Sequence, residues 1–159
     1  MKILFIGVFD EEGKSTNNSQ AKAFEKLNYK VLRYNYRIRA FSIGRQQRDL
    51  EIISLCKERK PDFILFSKCN DISLEVFSEC SKYTTTVLWF MDALCNLTGE
   101  ILEIAKRVKL VCFDKENVGE LLLRANKNSH LVTEGYDEDS IFLVDNVDKL
   151  YDVSFLGSI

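Results

Sequence analysis

The chain has 159 residues, 46% hydrophobic and 29% charged, with a formal net charge of −2. That is the balance of one globular domain with a sizeable core, and it excludes a global electrostatic attraction to nucleic acid or to a membrane surface. No apolar run reaches the roughly 18 residues that a membrane-spanning helix needs.

The first residues, MKILFIGVFDEE, hold a short apolar run that passes directly into acids, with no small-residue cleavage site. They read as a first core strand, Lys2 to Val8, rather than as a secretory signal. A polar loop follows from Asp10 to Asn18. Asn17 and Gln20 have the spacing of a capping box, and Ala21, Phe24 and Leu27 then recur at helical intervals. Lys30 to Tyr34 is a second strand. Leu50, Ile53 and Cys56, with Ile52 and Leu55 beside them, mark a helix that ends before Pro61. Phe63 to Phe66 is a third strand, and Leu74, Phe77 and Cys80 mark the next helix. Thr86 to Phe90 is a fourth strand, followed by a helical stripe of Leu97, Ile101, Ile104, Ala105 and Val108. Leu110 to Phe113 is a fifth strand. Asp114 is placed to cap a helix carrying Val118, Leu121, Leu122 and Ala125, and Ser129 to Val132 is a short sixth strand.

Strands alternating with helices predict an α/β fold: a Rossmann-like, doubly wound, mostly parallel sheet with helices on both faces. Such sheets bind ligands outside the carboxyl ends of their strands. The loops of interest are therefore Phe9 to Asn18, Ser67 to Ile72, Met91 to Leu97 and Thr133 to Ser140.

Several motifs are incomplete. Gly13-Lys14-Ser15-Thr16 lacks the earlier glycine of a phosphate loop, since Val8 stands there, and Asp10, Glu11 and Glu12 would repel a phosphate. No Gly-x-Gly-x-x-Gly follows the first strand, so a tightly held dinucleotide is not expected. A receiver-type phosphoacceptor is missing too, because Ser67 stands where an aspartate is required. The lone His130 reads as structural. The five cysteines include no CxxC pair and suit neither zinc nor a disulfide framework, so a reducing, cytoplasmic compartment is expected. Cys56, Cys80 and Cys112 fall at core positions, whereas Cys69 and Cys95 fall in loops after strands, where a reactive thiol is conceivable.

Charge is uneven along the chain. From Lys30 to Arg48 there are six bases (Lys30, Arg33, Arg37, Arg39, Arg45, Arg48) and no acid, interleaved with Tyr29, Tyr34, Tyr36 and Phe41. This is either a solvated face or a mouth that attracts an anionic molecule. Glu134 to Asp152 carries seven acids against Lys149 alone. Asp92 follows the apolar run Val87 to Phe90 and Met91, at the carboxyl end of the fourth strand. It reads either as a general base at an apolar cleft or as a helix cap.

Three segments taken in order, WFMDA (Trp89 to Ala93), VCFDKENVGELL (Val111 to Leu122) with EGYDEDSIF (Glu134 to Phe142), and YDVSFLGS (Tyr151 to Ser158), resemble the CgeB-like glycosyltransferases. The likeness in motifs covers the second half of the chain; the first half shares only the general character of a Rossmann-like unit. The family often has a second acid and a proline after the WFMD-like aspartate, where this chain has Ala93 and Leu94. The resemblance implies the two-domain GT-B fold, of which residues 1–150 would be the acceptor-binding domain. Residues 151–159 would be the first strand of a C-terminal domain that holds the nucleotide sugar. For that chemistry Asp92, at its strand end, is the expected catalytic base, and the carboxyl-end loops and the basic stretch offer Phe9, Asp10, Asn17, Lys68, Asn70, Arg37 and Arg39 as the residues expected to hold a sugar acceptor of anionic character. No metal or cofactor is expected, because no Asp-x-Asp triplet sits at a strand end. The other reading is a stand-alone, non-catalytic α/β binding or regulatory module, with Tyr151 to Ile159 as a last edge strand.

Overall fold

The computed structural model of the chain describes residues 1–13 and 15–139. The strand expected at Tyr151 to Ser158 and the boundary at residue 150 lie outside the described residues, as does Lys14. Six parallel strands, β1 (Lys2–Gly7), β2 (Lys30–Asn35), β3 (Phe63–Ser67), β4 (Thr85–Phe90), β5 (Leu110–Phe113) and β6 (Ser129–Leu131), form one sheet in the order β2-β1-β3-β4-β5-β6. Helices α1 (Thr16–Lys26), α2 (Tyr36–Ile43), α3 (Arg45–Arg59), α4 (Leu74–Tyr83), α5 (Gly99–Ala105) and α6 (Glu116–Ala125) connect them.

The strand order explains where the helices lie. From β1 the chain steps one way to β2, and from β3 onward it steps the other way. Right-handed crossovers therefore put the connections on opposite faces. On one face Ala21 and Phe24 of α1 cover Ile3, Phe5, Leu65, Val87 and Trp89. On the other, α2 to α6 supply Tyr36, Ile52, Cys56, Val76, Phe77, Cys80, Ile101, Ile104, Val118 and Leu122 against Leu4, Ile6, Ile64, Phe66, Leu88, Phe90, Val111 and Phe113. Alternate strand residues thus feed two cores, as the period of two requires, and the near-continuous apolar runs are those of strands buried on both faces. The reversal of winding lies between β1 and β3.

Three local expectations are corrected and one helix is added. Helix α1 is capped by Ser15, whose hydroxyl accepts the Asn17 N–H at 3.2 Å, not by Asn17 itself. Helix α6 starts after Lys115 with no side-chain cap, because the Asp114 carboxylate is taken by the Lys115 ammonium at 2.5 Å. The stretch after β2, to which the sequence reading assigned no element, forms α2, capped by Asn35, whose Oδ1 accepts from the Arg37 and Ile38 N–H groups. Gly44, at φ 85°, turns the chain from α2 into α3 in a conformation that side-chain-bearing residues avoid. Finally, Cys69 is fully buried and donates its thiol toward the Ile6 and Ser67 carbonyls; burial pushes its pKa well up, so it is no reactive thiolate. Cys56 and Cys80 are core residues and Cys112 is half-buried, while Cys95 is exposed.

Candidate functional site at the carboxyl edge of the sheet

Every loop that leaves the carboxyl edge contributes a polar group, and the loops after β3, β4, β5 and β6 meet. The β3 loop begins with two successive side-chain-bearing residues in the left-handed region, Lys68 (φ 63°) and Cys69 (φ 64°). Such a pair is strained and persists only where its surroundings enforce it. Here the buried Cys69 side chain anchors the bend, and the Lys68 N–H is held by the Trp89 carbonyl at 3.3 Å. The bend turns the Lys68 side chain across to the β4 loop, where its ammonium lies 2.9 Å from Asp92 Oδ1. Asp92 caps no helix: Thr98 caps α5, accepting the Ile101 N–H. Its carboxylate keeps a quarter of its surface exposed (25%), so it is held in place yet open to an approaching group.

Beside this pair sits a second one. Lys115 donates to the Met91 carbonyl at 2.8 Å and to Asp114 Oδ2 at 2.5 Å, which ties the β5 loop to the β4 loop. The Asp114 side chain is almost fully buried, and its other oxygen, Oδ1, has no donor among the described residues. Glu134, in the segment after β6, is exposed as a residue, but its carboxyl lies toward this cluster. Desolvation raises its pKa above the ordinary carboxylate range, and the Asp114 carboxylate adds to that rise against the opposing pull of Lys115. Lys115 itself is shifted upward, first by its bond to Asp114.

The loop after β1 is braced from within. Val8 O accepts from the Ser15 hydroxyl (2.5 Å) and from Asn17 Nδ2 (3.2 Å). Asp10 accepts from the Ser15 N–H at its carboxylate and from Asn18 Nδ2 at its carbonyl. Phe9 O accepts from Asn35 Nδ2 at 2.5 Å, and the Phe9 ring stands edge-on to Phe5 at 5.2 Å. Gly7 allows this closure: a Cβ there would lie 2.6 Å from Asn17 Nδ2.

The basic stretch is largely consumed. Arg48 is fully buried, with Nε on Asp49 Oδ1 (2.9 Å), Nη1 on Asp71 Oδ1 (3.1 Å) and Nη2 on the Asp71 carbonyl (2.6 Å); its guanidinium faces the Tyr36 ring. It therefore fastens the β3 loop to α3 instead of facing an anion. Arg39 is bound at two points by Glu51, which also accepts from the Tyr34 hydroxyl at 2.6 Å. Arg33 pairs with Glu25. Arg37 remains exposed, bonded through Nε to the Tyr36 hydroxyl at 3.2 Å.

Of the residues the sequence singled out, Lys68 and Asp92 are brought into contact. Asn70 lies exposed in the same β3 loop as Lys68. Phe9, Asp10 and Asn17 brace the neighbouring β1 loop, and Arg37 and Arg39 stand on α2 beyond β2. Sequence reasoning missed the part played by Asp114, Lys115 and Glu134. One signal was present: Asp114 ends the run Leu110 to Phe113 just as Asp92 ends Val87 to Met91. Among the described residues no group of three or more His, Cys, Asp or Glu side chains is placed to hold a metal ion, and no helix is long and apolar enough to cross a membrane. Comparison with protein-family models and with curated proteins finds no match for the chain.

Proposed function

We infer that the chain is the acceptor-side domain of a GT-B glycosyltransferase similar to the CgeB-like enzymes, and that it presents an acceptor hydroxyl to a nucleotide sugar held by a second domain. The observation that carries this reading is the Lys68–Asp92 pair, a carboxylate fixed at 2.9 Å by an ammonium yet partly open at the carboxyl edge beside the β1/β3 reversal. In the proposed step the acceptor oxygen forms a bond to the anomeric carbon. The bond from that carbon to the nucleotide diphosphate breaks, and the hydroxyl proton passes to Asp92. A base within hydrogen-bond reach of the attacking hydroxyl is what this chemistry requires of the acceptor side, while the charge that develops on the leaving diphosphate is the task of the donor side. Lys68 holds the Asp92 carboxylate in one orientation, and Asn70 and Arg37 offer donors to the rest of the acceptor.

The test is Asp92→Asn in the enzyme carrying both domains. Turnover should fall roughly a hundredfold or more, with KM for the acceptor little changed, because the amide keeps the shape and loses only the proton-accepting charge. Near-normal turnover would overturn the assignment.

A further inference from the structure

We propose that the groove between α1 and the segment 132–138 binds the aromatic body of a neutral polyphenol, one hydroxyl of which is presented at the Asp92 edge as the acceptor. Its role as acceptor rests on the transferase reading above; its binding does not. The groove follows from the winding of the sheet. Among the described residues α1 is the one helix packed on its face of the sheet. As the crossover from β1 to β2 it stands away from β4 and β5. Leu65, Val87, Trp89 and Cys112 therefore form the floor of a cavity beside α1. After β6 the chain returns to α1 and roofs that floor. Asp137 accepts from the Ser19 hydroxyl at 2.9 Å, Glu138 pairs with Lys26 at 2.9 Å and Asp139 with Lys22 at 2.5 Å.

The cavity measures about 910 Å³, within the roughly 300–1,000 Å³ of small-molecule sites. An aromatic ring comes from each side of it: Trp89 in the floor, Phe24 on α1 and Tyr136 in the returning segment, the last 74% exposed. A flat aromatic ligand meets such rings edge-on or offset. The lysines in the lining, Lys22 and Lys26, are already paired, so an anion entering the groove would lose its hydration with neither lysine in exchange. Two buried polar atoms call for hydroxyls. Trp89, 8% exposed, has no acceptor for its indole N–H among the described residues, and Gln20 Oε1, also in the lining, has no donor. Buried polar groups are ordinarily partnered, and hydroxyls, which both accept and donate, supply what these two lack. The groove is also continuous with the candidate site. Its lining includes Glu134, whose carboxyl lies toward Asp114 and Lys115, and Lys115 bonds the carbonyl of Met91, the residue before Asp92. An outer hydroxyl of the ligand thus emerges at the Asp92 edge.

The experiment is equilibrium dialysis of the full chain against resveratrol, a neutral polyphenol, and against its anionic sulfate ester. Resveratrol is expected to bind at a single saturable site, and the sulfate about tenfold or more weakly. Ala23→Phe, which projects a ring into the groove from α1, and Tyr136→Ala, which removes one ring of the lining, should each weaken binding about tenfold. Both positions are exposed, so both variants should melt as the parent does and the loss reports on the groove. No binding of resveratrol, equal binding of the sulfate, or unchanged affinity in Ala23→Phe each overturns the proposal and leaves the Asp92 assignment standing. So does self-association in light scattering that Ala23→Phe abolishes, which would make the groove an interface between copies of the chain. Asp92→Asn should leave resveratrol binding unchanged, so near-normal turnover in that variant would overturn the transfer step while the binding site stands.

Discussion

Replacing Arg48 by methionine tests whether the carboxyl edge is held together by a buried charge. The substitution keeps most of the apolar stem and removes the guanidinium. That leaves Asp49, whose side chain is 15% exposed, without its cation and the Asp71 carbonyl without its donor. Stranding one member of a buried ion pair costs about 3–5 kcal/mol. The Asp71 side chain is 31% exposed and keeps its long contact with Arg45, so the lower figure, about 3 kcal/mol, is expected. For a domain of this size each kcal/mol moves Tm by roughly 2–4 °C, which gives a fall of roughly 6–12 °C in thermal unfolding followed by circular dichroism. Arg48→Lys, which restores a point charge but not the planar fork that reaches Asp49 and Asp71 together, should fall between. A Tm within about 2 °C of the parent for Arg48→Met would refute the reasoning, since that is less than the smallest shift expected for 1 kcal/mol.

Two further outcomes follow from the same geometry. Gly7→Ala should destabilise by about 2–3 kcal/mol, because the new methyl displaces Asn17 from Val8 O; in an Asn17→Ala background the cost should drop below about 1 kcal/mol, and a double-mutant cycle by urea unfolding reads the difference. The second concerns pH. The Glu51 carboxyl is held below its ordinary value of 4.5, first by its bond to Arg39. Its contribution is therefore present above the unfolded-state pKa and lost as pH falls through the lowered folded value. Tm of the parent should drop across that acidic window, and Glu51→Gln should flatten that part of the profile; an unchanged slope in the variant would show that the Arg39–Glu51–Tyr34 network does not carry it.

Much of the fold was legible in the chain because parallel strands buried on both faces need near-continuous apolar runs. Lys2 to Gly7, Phe63 to Ser67 and Leu110 to Phe113 carry that signal within a residue or so at each end. Alternation with helical stripes then implies the sheet and its functional edge. Helix α2 escaped notice for the opposite reason: Ile38 and Phe41 face water, so no buried stripe marks it. The caps were misplaced because Asn17 and Asp114 satisfy a cap pattern locally but are claimed by Val8 O and Lys115 in three dimensions. Asp92 was visible as a carboxylate at a strand end. Its contact with Lys68 was not, because it spans two loops that only the β3–β4 pairing brings together. Nor did the run of arginines show which of them would be spent: folding places carboxylates beside Arg48 and Arg39, and buries Arg48, while it leaves Arg37 exposed. Local pattern determined the elements and their edge, because apolar periodicity is a property of the chain. Tertiary structure alone decided which charges pair and which stay open, because pairing depends on residues far apart in sequence.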